Sequence, residues 1–296
     1  MLRLRTFFEM IRFEHTVFAL PFAYLGMVLA AGGLPTFYQF FWITIAMAAA
    51  RTAAMSLNRF IDRQIDTRNP RTANRPIQTG RIGSGQVLFF AVVSLLVLGF
   101  AASQLTPLVF ALWPGAVVFL VGYSYTKRFT PWCHYILGFT DGLAPMGAWA
   151  AVTGTLFSAA DLPAWLLLGV VTFWIGGFDI LYALQDVEID RREGLHSIPA
   201  WLGIAQALRV ARFSHVLTVA LLAAVGAVAG LGWVYWLGAL AVGALLLYEH
   251  SLVKPHDLSK LGLAFFNVNG YISVTIFGAT LLALLFKQGG DPCVLC

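Results

Sequence analysis

The sequence predicts an all-α polytopic membrane protein, with about nine transmembrane helices in one bundle and an internal parallel repeat. Three observations predict it. Of the 296 residues, 59% are hydrophobic and 11% charged, against about 25% charged in a soluble domain. The apolar residues fall in runs close to the roughly 20 residues that a helix needs to cross a bilayer, without the alternation of barrel strands. An acidic motif also recurs at an offset of 124 residues, as Asn58, Asp62 and Asp66 and then as Tyr182, Asp186 and Asp190.

Residues 2–11 mix Arg3, Arg5 and Glu9 with apolar side chains, and read as an amphipathic segment at the membrane surface. No cleavable signal is expected, since further apolar runs follow the first. Spans are expected over 16–33, 37–56, 86–105, 108–124, 135–153, 163–183, 210–230, 233–248 and 263–286. Repeat halves would cover about 14–130 and 131–262 of a single domain, with the ninth helix over 263–286. Connections alternate between short, nearly chargeless links and long basic ones. Of the 19 Lys and Arg, Arg51 lies inside a span and Lys287 on one face; the other 17 fall on the opposite face. By the positive-inside rule that basic face is cytoplasmic, which fits an integral protein of a bacterial inner membrane. The formal charge of +5 therefore reflects topology, and no basic soluble module exists to hold a nucleic acid. Three cysteines give no disulfide framework, and Cys293 and Cys296 read as a frayed tail.

The chemistry gathers where the second and sixth spans end. On a helix, Asn58, Asp62 and Asp66 lie at i, i+4 and i+8 and share one face. Tyr182, Asp186 and Asp190 repeat the spacing, and Asp179 adds a carboxylate one turn earlier. Four spans separate the motifs, so both emerge on the basic face. Carboxylates at this spacing suit Mg²⁺, which takes one or two and leaves its other positions to water and phosphate oxygens. Arg59, Arg63, Arg71, Arg75, Lys127, Arg128, Arg191 and Arg192 surround them. An acidic and basic site together fits a polyanion such as a diphosphate, held through metal and by direct cationic contacts. His15, His134 and His196 read as interfacial polar residues, and Trp113, Trp174, Trp233 and the many phenylalanines mostly as lipid-facing or belt residues, with some lining a groove for a hydrophobic tail as the alternative. Asp141, inside the fifth span, either faces a cavity or makes a structural hydrogen bond. Arg51 lies seven residues before Asn58, two turns deeper on nearly the same face, and Ile175 occupies its place in the second copy.

The run Asn58-x3-Asp62-x3-Asp66, the following Arg71-Thr-Ala-Asn-Arg75-Pro76, the segment from Tyr123 to Arg128, and Asp179-x2-Tyr182-x3-Asp186-x3-Asp190 resemble the intramembrane aromatic (UbiA-type) prenyltransferases of quinone biosynthesis. The resemblance spans nearly the whole chain. It is closest to the 4-hydroxybenzoate polyprenyltransferase branch and to the enzymes that prenylate 1,4-dihydroxy-6-naphthoate for menaquinone. The chain departs at Arg59 and His196, where many relatives carry Asp and Lys. The resemblance implies a Mg²⁺-dependent transferase that moves a polyprenyl group from polyprenyl diphosphate to a carbon of an aromatic carboxylic acid. Asp62 and Asp66, assisted by Asn58, would hold one Mg²⁺, and Asp186 and Asp190 another. Lys127, Arg75, Arg128 and Tyr123 would bind substrate. Asp179 would deprotonate or orient the phenol, with Tyr182 beside it. Arg51 would grip the acceptor's carboxylate through its two-pronged guanidinium. A cation or proton transporter is the competing class, although transporters favour inverted repeats and midplane sites.

Overall fold

A computed structural model describes residues 14–263 and 267–289, together with Thr6 and Met10. The rest of the amphipathic segment 2–11 and the Cys293–Cys296 pair lie outside the described residues. Among those described, nine long helices occur: α1 Glu14–Ala31, α2 Phe37–Ile61, α3 Ser84–Ser103, α4 Pro107–Thr126, α5 Cys133–Thr153, α6 Leu162–Ala183, α7 Ile204–Val228, α8 Trp233–Leu252 and α9 Asn269–Gly289. Six helical stretches are long and apolar enough to cross a membrane: Phe37–Ile61, Ser84–Ser103, Pro107–Thr126, Ala159–Arg192, Ile204–Val228 and Asn269–Lys287. The expected spans at 135–153 and 233–248 form helices but do not reach that apolarity, and within the span expected over 16–33 only Leu20–Ala31 counts as apolar helix, too short by this measure. One reason is local: α5 carries His134, Thr140 and Asp141, and α8 ends in Glu249 and His250.

Local chemistry sets the ends. Thr36 caps α2 with a reciprocal Gln39 contact, its Oγ1 accepting from the Gln39 backbone N–H at 3.2 Å. Thr106 caps α4 ahead of Pro107 at the first turn, where the missing N–H costs nothing. Consecutive long helices pack on one another, and α9 closes back onto α1, so the nine form a ring. Close approach depends on small residues: a Cβ on Gly26 of α1 would overlap the Pro145 carbonyl of α5. The main apolar core joins α1, α5, α6, α8 and α9, with Ala23, Ala150, Leu167, Val242 and Ile276 almost fully buried. Met10 packs with Ile82 and Val87 beneath the loop that follows the first motif.

Neither acidic motif rides a continuous helix. α2 stops at Ile61, Asp62 breaks the regular backbone, and a short helix resumes over Arg63–Arg68. α6 stops at Ala183, a 3₁₀ turn covers Leu184–Asp186, and a short helix resumes over Val187–Arg192. The regular helix expected for each triad is thus interrupted at or beside its middle carboxylate; Asp66 still shares a chamber with Asn58 and Asp62, whereas Asp190 leaves the wall that Tyr182 and Asp186 line.

Candidate active site

Two chambers occupy the interior of the ring. A polar one of about 360 Å³ lies where the broken helix ends converge, and an apolar one of about 380 Å³ adjoins it. The polar chamber is lined by Asn58, Asp62 and Asp66 from the first motif, Asp179, Tyr182 and Asp186 from the second, and Arg71, Arg75, Tyr123 and Lys127. The apolar chamber is walled by side chains such as Met47, Leu98, Val109, Trp113, Phe119, Leu143 and Phe157. Arg51, Ala54, Asp141, Trp174 and Ile175 line both and form the neck between them.

The carboxylates of the two motifs are met by cations. Arg75 Nη1 donates to Asp66 Oδ2 at 2.6 Å. Arg71 forks onto Asp186, Nε to Oδ1 at 3.1 Å and Nη2 to Oδ2 at 2.5 Å, and its Nη1 donates to the Tyr182 hydroxyl at 2.8 Å. Asn69 Nδ2 donates to the same Asp186 at 2.9 Å. The loop after the first motif is thereby tied to the second motif. Burial works against the Arg71 charge, but the hydrogen bonds and charge of Asp186 outweigh it and hold the guanidinium above its ordinary range. At Arg75 burial prevails over Asp66, and the guanidinium is lowered. Asp62 accepts from Asn58 Nδ2 at 2.9 Å and from Arg128 Nη2 at 3.0 Å. Burial first and the charge of Asp66 second push its carboxyl up to about 6, although Arg128, Lys127 and Arg59 pull the other way.

Two residues depart from their expected places. Asp190 does not line either chamber. It is 1% exposed, with one oxygen on Lys127 Nζ at 2.7 Å and the other accepting from Ser197 Oγ at 2.8 Å. The helix break turns it behind Lys127, whose ammonium faces the chamber. Burial lowers that ammonium, and the charge and hydrogen bond of Asp190 overcome the loss and leave it raised. Arg128 likewise backs the site through Asp62 and the Ile61 carbonyl, outside the chamber walls.

Two side chains read as interfacial or lipid-facing in the sequence, His134 and Trp174, belong to the site. His134 is 2% exposed, and its Nδ1 lies 2.7 Å from Asp179 Oδ2. The Ile198 backbone N–H donates to His134 Nε2 at 3.3 Å, which assigns the ring proton to Nδ1. Trp174 is 5% exposed and stands at the neck, not in a lipid belt. Arg71 is the main partner of Asp186. Arg51 reaches the neck as its spacing from Asn58 predicts, and its buried Nε has no hydrogen-bond partner among the described residues.

Among the described residues, no three His, Cys, Asp or Glu side chains converge closely enough to cage a metal ion. Asn58, Asp62, Asp66 and Asp186 do supply oxygen donors to one chamber. Burial, more than the neighbouring Asp66, is what raises the Asp62 carboxyl, and a bound cation would favour its charged form. That donor set fits a Mg²⁺ completed by water and phosphate oxygens.

The chain's similarities agree with this geometry. The profile of the UbiA prenyltransferase family matches residues 19–285. A 4-hydroxybenzoate solanesyltransferase of Synechocystis is 33% identical, over 88% of this chain and 88% of its own. A 4-hydroxybenzoate octaprenyltransferase of Xanthomonas campestris is 34% identical, over 84% and 81%. The apo structure of a UbiA homologue from Aeropyrum pernix superposes with a TM-score of 0.83 at 29% identity, covering 91% of this chain and 98% of that one. A homologue from Archaeoglobus fulgidus, solved with DMAPP and Mg²⁺, shares the fold with a TM-score of 0.68 at 18% identity, over 95% and 99%. With nearly its whole length matched, the chain belongs to the UbiA prenyltransferase family.

Proposed function

We propose that the protein transfers a polyprenyl group from its diphosphate to 4-hydroxybenzoate in ubiquinone synthesis, within a bacterial inner membrane and with its polar chamber toward the cytoplasm. In this reading all nine long helices span the bilayer as two parallel halves and a closing ninth. The observation that carries the proposal is the joined pair of chambers: a polar one rich in arginine and aspartate, opening through a neck into an apolar one. A prenyl diphosphate has the same division, and it places its C1 at the neck. The relatives named for 4-hydroxybenzoate support that acceptor. They give no support to a naphthoate acceptor or to a transporter.

Arg71, Arg75 and Lys127 offer the diphosphate their N–H donors, and Tyr123 closes the chamber wall with its hydroxyl on the Ala54 carbonyl at 3.1 Å. Asp62, Asp66 and Asp186, with Asn58, would hold Mg²⁺, which supplies positive charge to the leaving diphosphate when bound. Asp190 serves by holding Lys127, and Arg128 by holding Asp62. Arg51 presents a guanidinium at the neck to the acceptor's carboxylate. Asp179, oriented by the His134 proton with Tyr182 one turn away, accepts the phenol proton. The C1–O bond breaks with its electron pair leaving on diphosphate. The ring carbon beside the hydroxyl bonds to C1, since the para position carries the carboxylate; the dienone so formed gives its ring proton to the released diphosphate, and Asp179 returns the phenol proton to the oxygen.

Proteoliposomes of the purified protein, given a polyprenyl diphosphate and 4-hydroxybenzoate, are expected to form the ring-prenylated acid, to stop in EDTA and to recover with Mg²⁺. Arg51→Leu should raise KM for the acceptor about tenfold or more and leave KM for the diphosphate substrate nearly unchanged. Absence of product from a panel of aromatic acids would overturn the reading.

A further inference from the structure

The neck is where the proposed transfer puts the reacting carbon, so its walls touch that carbon. Of the five residues lining both chambers, Trp174 is the aromatic one. Its ring is backed by Phe22, with centroids 4.5 Å apart, and edged by Phe178 at 5.1 Å. It is also held at both ends by polar groups. Its indole Nε1 donates to Asn269 Oδ1 at 2.8 Å, and its backbone carbonyl lies 3.3 Å from His215 Nε2. Asn269 Nδ2 donates in turn to Glu249 Oε1 at 3.0 Å. Glu249 is fully buried, and its Oε2 lies 3.7 Å from His215 Nδ1, which is itself 2.9 Å from His250 Nε2. His215 can lie against α6 because residue 177 is glycine: a Cβ there would stand 2.4 Å from the imidazole.

α7, α8 and α9 thus each send a buried polar side chain toward one tryptophan of α6. Burying a carboxyl and an imidazole in an apolar bundle costs free energy that only hydrogen bonds offset, and here those bonds run to Asn269, the α6 backbone and His250. His215, Glu249 and His250 line neither chamber, so what they reach is Trp174, through Asn269 and the α6 backbone. An indole face attracts a cation more strongly than any other side-chain ring, and more so where water is excluded.

We propose that Trp174 is a catalytic residue, the aromatic wall against which the allylic cation forms, and that Asn269 and Glu249 are positioning residues that lock its indole there. This rests on the prenyl-transfer reading. After the C1–O bond breaks and diphosphate takes the electron pair, the cation has two fates. A ring carbon of the acceptor bonds to C1 and the ring loses a proton, or a water oxygen bonds to C1 and loses a proton, giving free prenol. A fixed wall at C1 favours the first by excluding water from that face.

The test uses the full chain in proteoliposomes with labelled prenyl diphosphate and 4-hydroxybenzoate, counting prenylated acid and free prenol together. Trp174→Leu is expected to lower kcat about tenfold or more and to raise the prenol share several-fold, roughly the scale of a lost cation–π contact. Asn269→Leu and Glu249→Leu should shift the share the same way by less; for Glu249→Leu, at a residue that lines neither chamber, KM for either substrate should change by under about twofold. Glu249→Gln keeps an acceptor for Asn269 and should restore the wild-type share. A packing role alone would lower both products in step as folded protein is lost, so an unchanged ratio in folded Trp174→Leu and Asn269→Leu overturns the inference. Wild-type protein that forms no prenylated acid overturns the transfer reading itself and this inference with it.

Discussion

Asp62 carries a cost that a surface aspartate does not. Burial and the neighbouring Asp66 raise its carboxyl to about 6, so the folded protein binds the proton more tightly than the unfolded chain does. The sign follows. The contribution of Asp62 to stability is fully present below the unfolded pKa of about 4 and is lost as pH rises to about 6, because the charged form is the one that folding disfavours. Asp62→Asn removes that loss. It should abolish prenyl transfer while raising the thermal midpoint at pH 8, by a stability increment on the order of 2 kcal/mol, and the advantage should vanish near pH 4. A midpoint below wild type at pH 8 would show that the Arg128 contact outweighs the burial cost. At this scale the sequence was only partly legible. Arg51 could be placed from its two-turn spacing to Asn58, because both sit on one regular helix. His134 could not, since its partner Asp179 is 45 residues away and only the packing of α5 on α6 joins them. Glu249 closes an apolar run and reads as a helix end, yet the side chain is 0% exposed because α9 covers it.

The elements show how a repeated motif becomes an asymmetric site. The i, i+4, i+8 spacing is visible in the sequence and brings both acid sets to one end of the bundle. The breaks at Asp62 and at Leu184–Asp186 are not visible, because the same letters also fit an unbroken helix. They follow from where each carboxylate finds its cation: Asp66 turns to Arg75 at the chamber, while Asp190 turns away to Lys127 and Ser197. The loop after the first motif then crosses to the second through Arg71 and Asn69 on Asp186. Arg68 adds an outer contact to Glu193 at 2.8 Å. Arg71→Leu leaves Asp186 with Asn69 alone among those two loop donors. It should raise KM for the prenyl diphosphate about tenfold or more and leave KM for 4-hydroxybenzoate within about twofold. It should also speed backbone hydrogen exchange across 69–80. This kinetic pattern is the reverse of that expected for Arg51→Leu. Arg71→Lys should recover little of either effect, since an ammonium cannot fork onto Asp186 and reach Tyr182 together. Equal changes in both KM values would mean that the loop shapes the whole chamber and does not specifically bind the diphosphate.

For the whole molecule, the ring and the charge pattern together support the proposed orientation. Consecutive helices pack in order and α9 closes on α1, so each short link and each long basic loop falls at an alternate end of the bundle. The motif breaks, Arg71, Arg75 and Lys127 all lie at one end, the end of the long basic loops that carry Arg63 to Arg81, Lys127, Arg128, Arg191 and Arg192. Basic loops stay on the cytoplasmic side, which is also the side from which a charged diphosphate head can enter a polar chamber without crossing the bilayer. In the proposed arrangement all nine long helices cross, and that odd number puts the two ends of the chain on opposite faces. A reporter fused after Cys296 should therefore be active outside the cytoplasm, and one inserted at Thr79 should be active within it. In sealed inside-out vesicles a water-soluble short-chain prenyl diphosphate added to the medium should be consumed at once, whereas right-side-out vesicles should consume it only after they are opened. A cytoplasmic signal from the Cys296 fusion would mean that one of the less apolar helices, Cys133–Thr153 or Trp233–Leu252 foremost, does not cross. Equal turnover in both vesicle types would place the polar chamber within reach of the outer face and overturn the orientation.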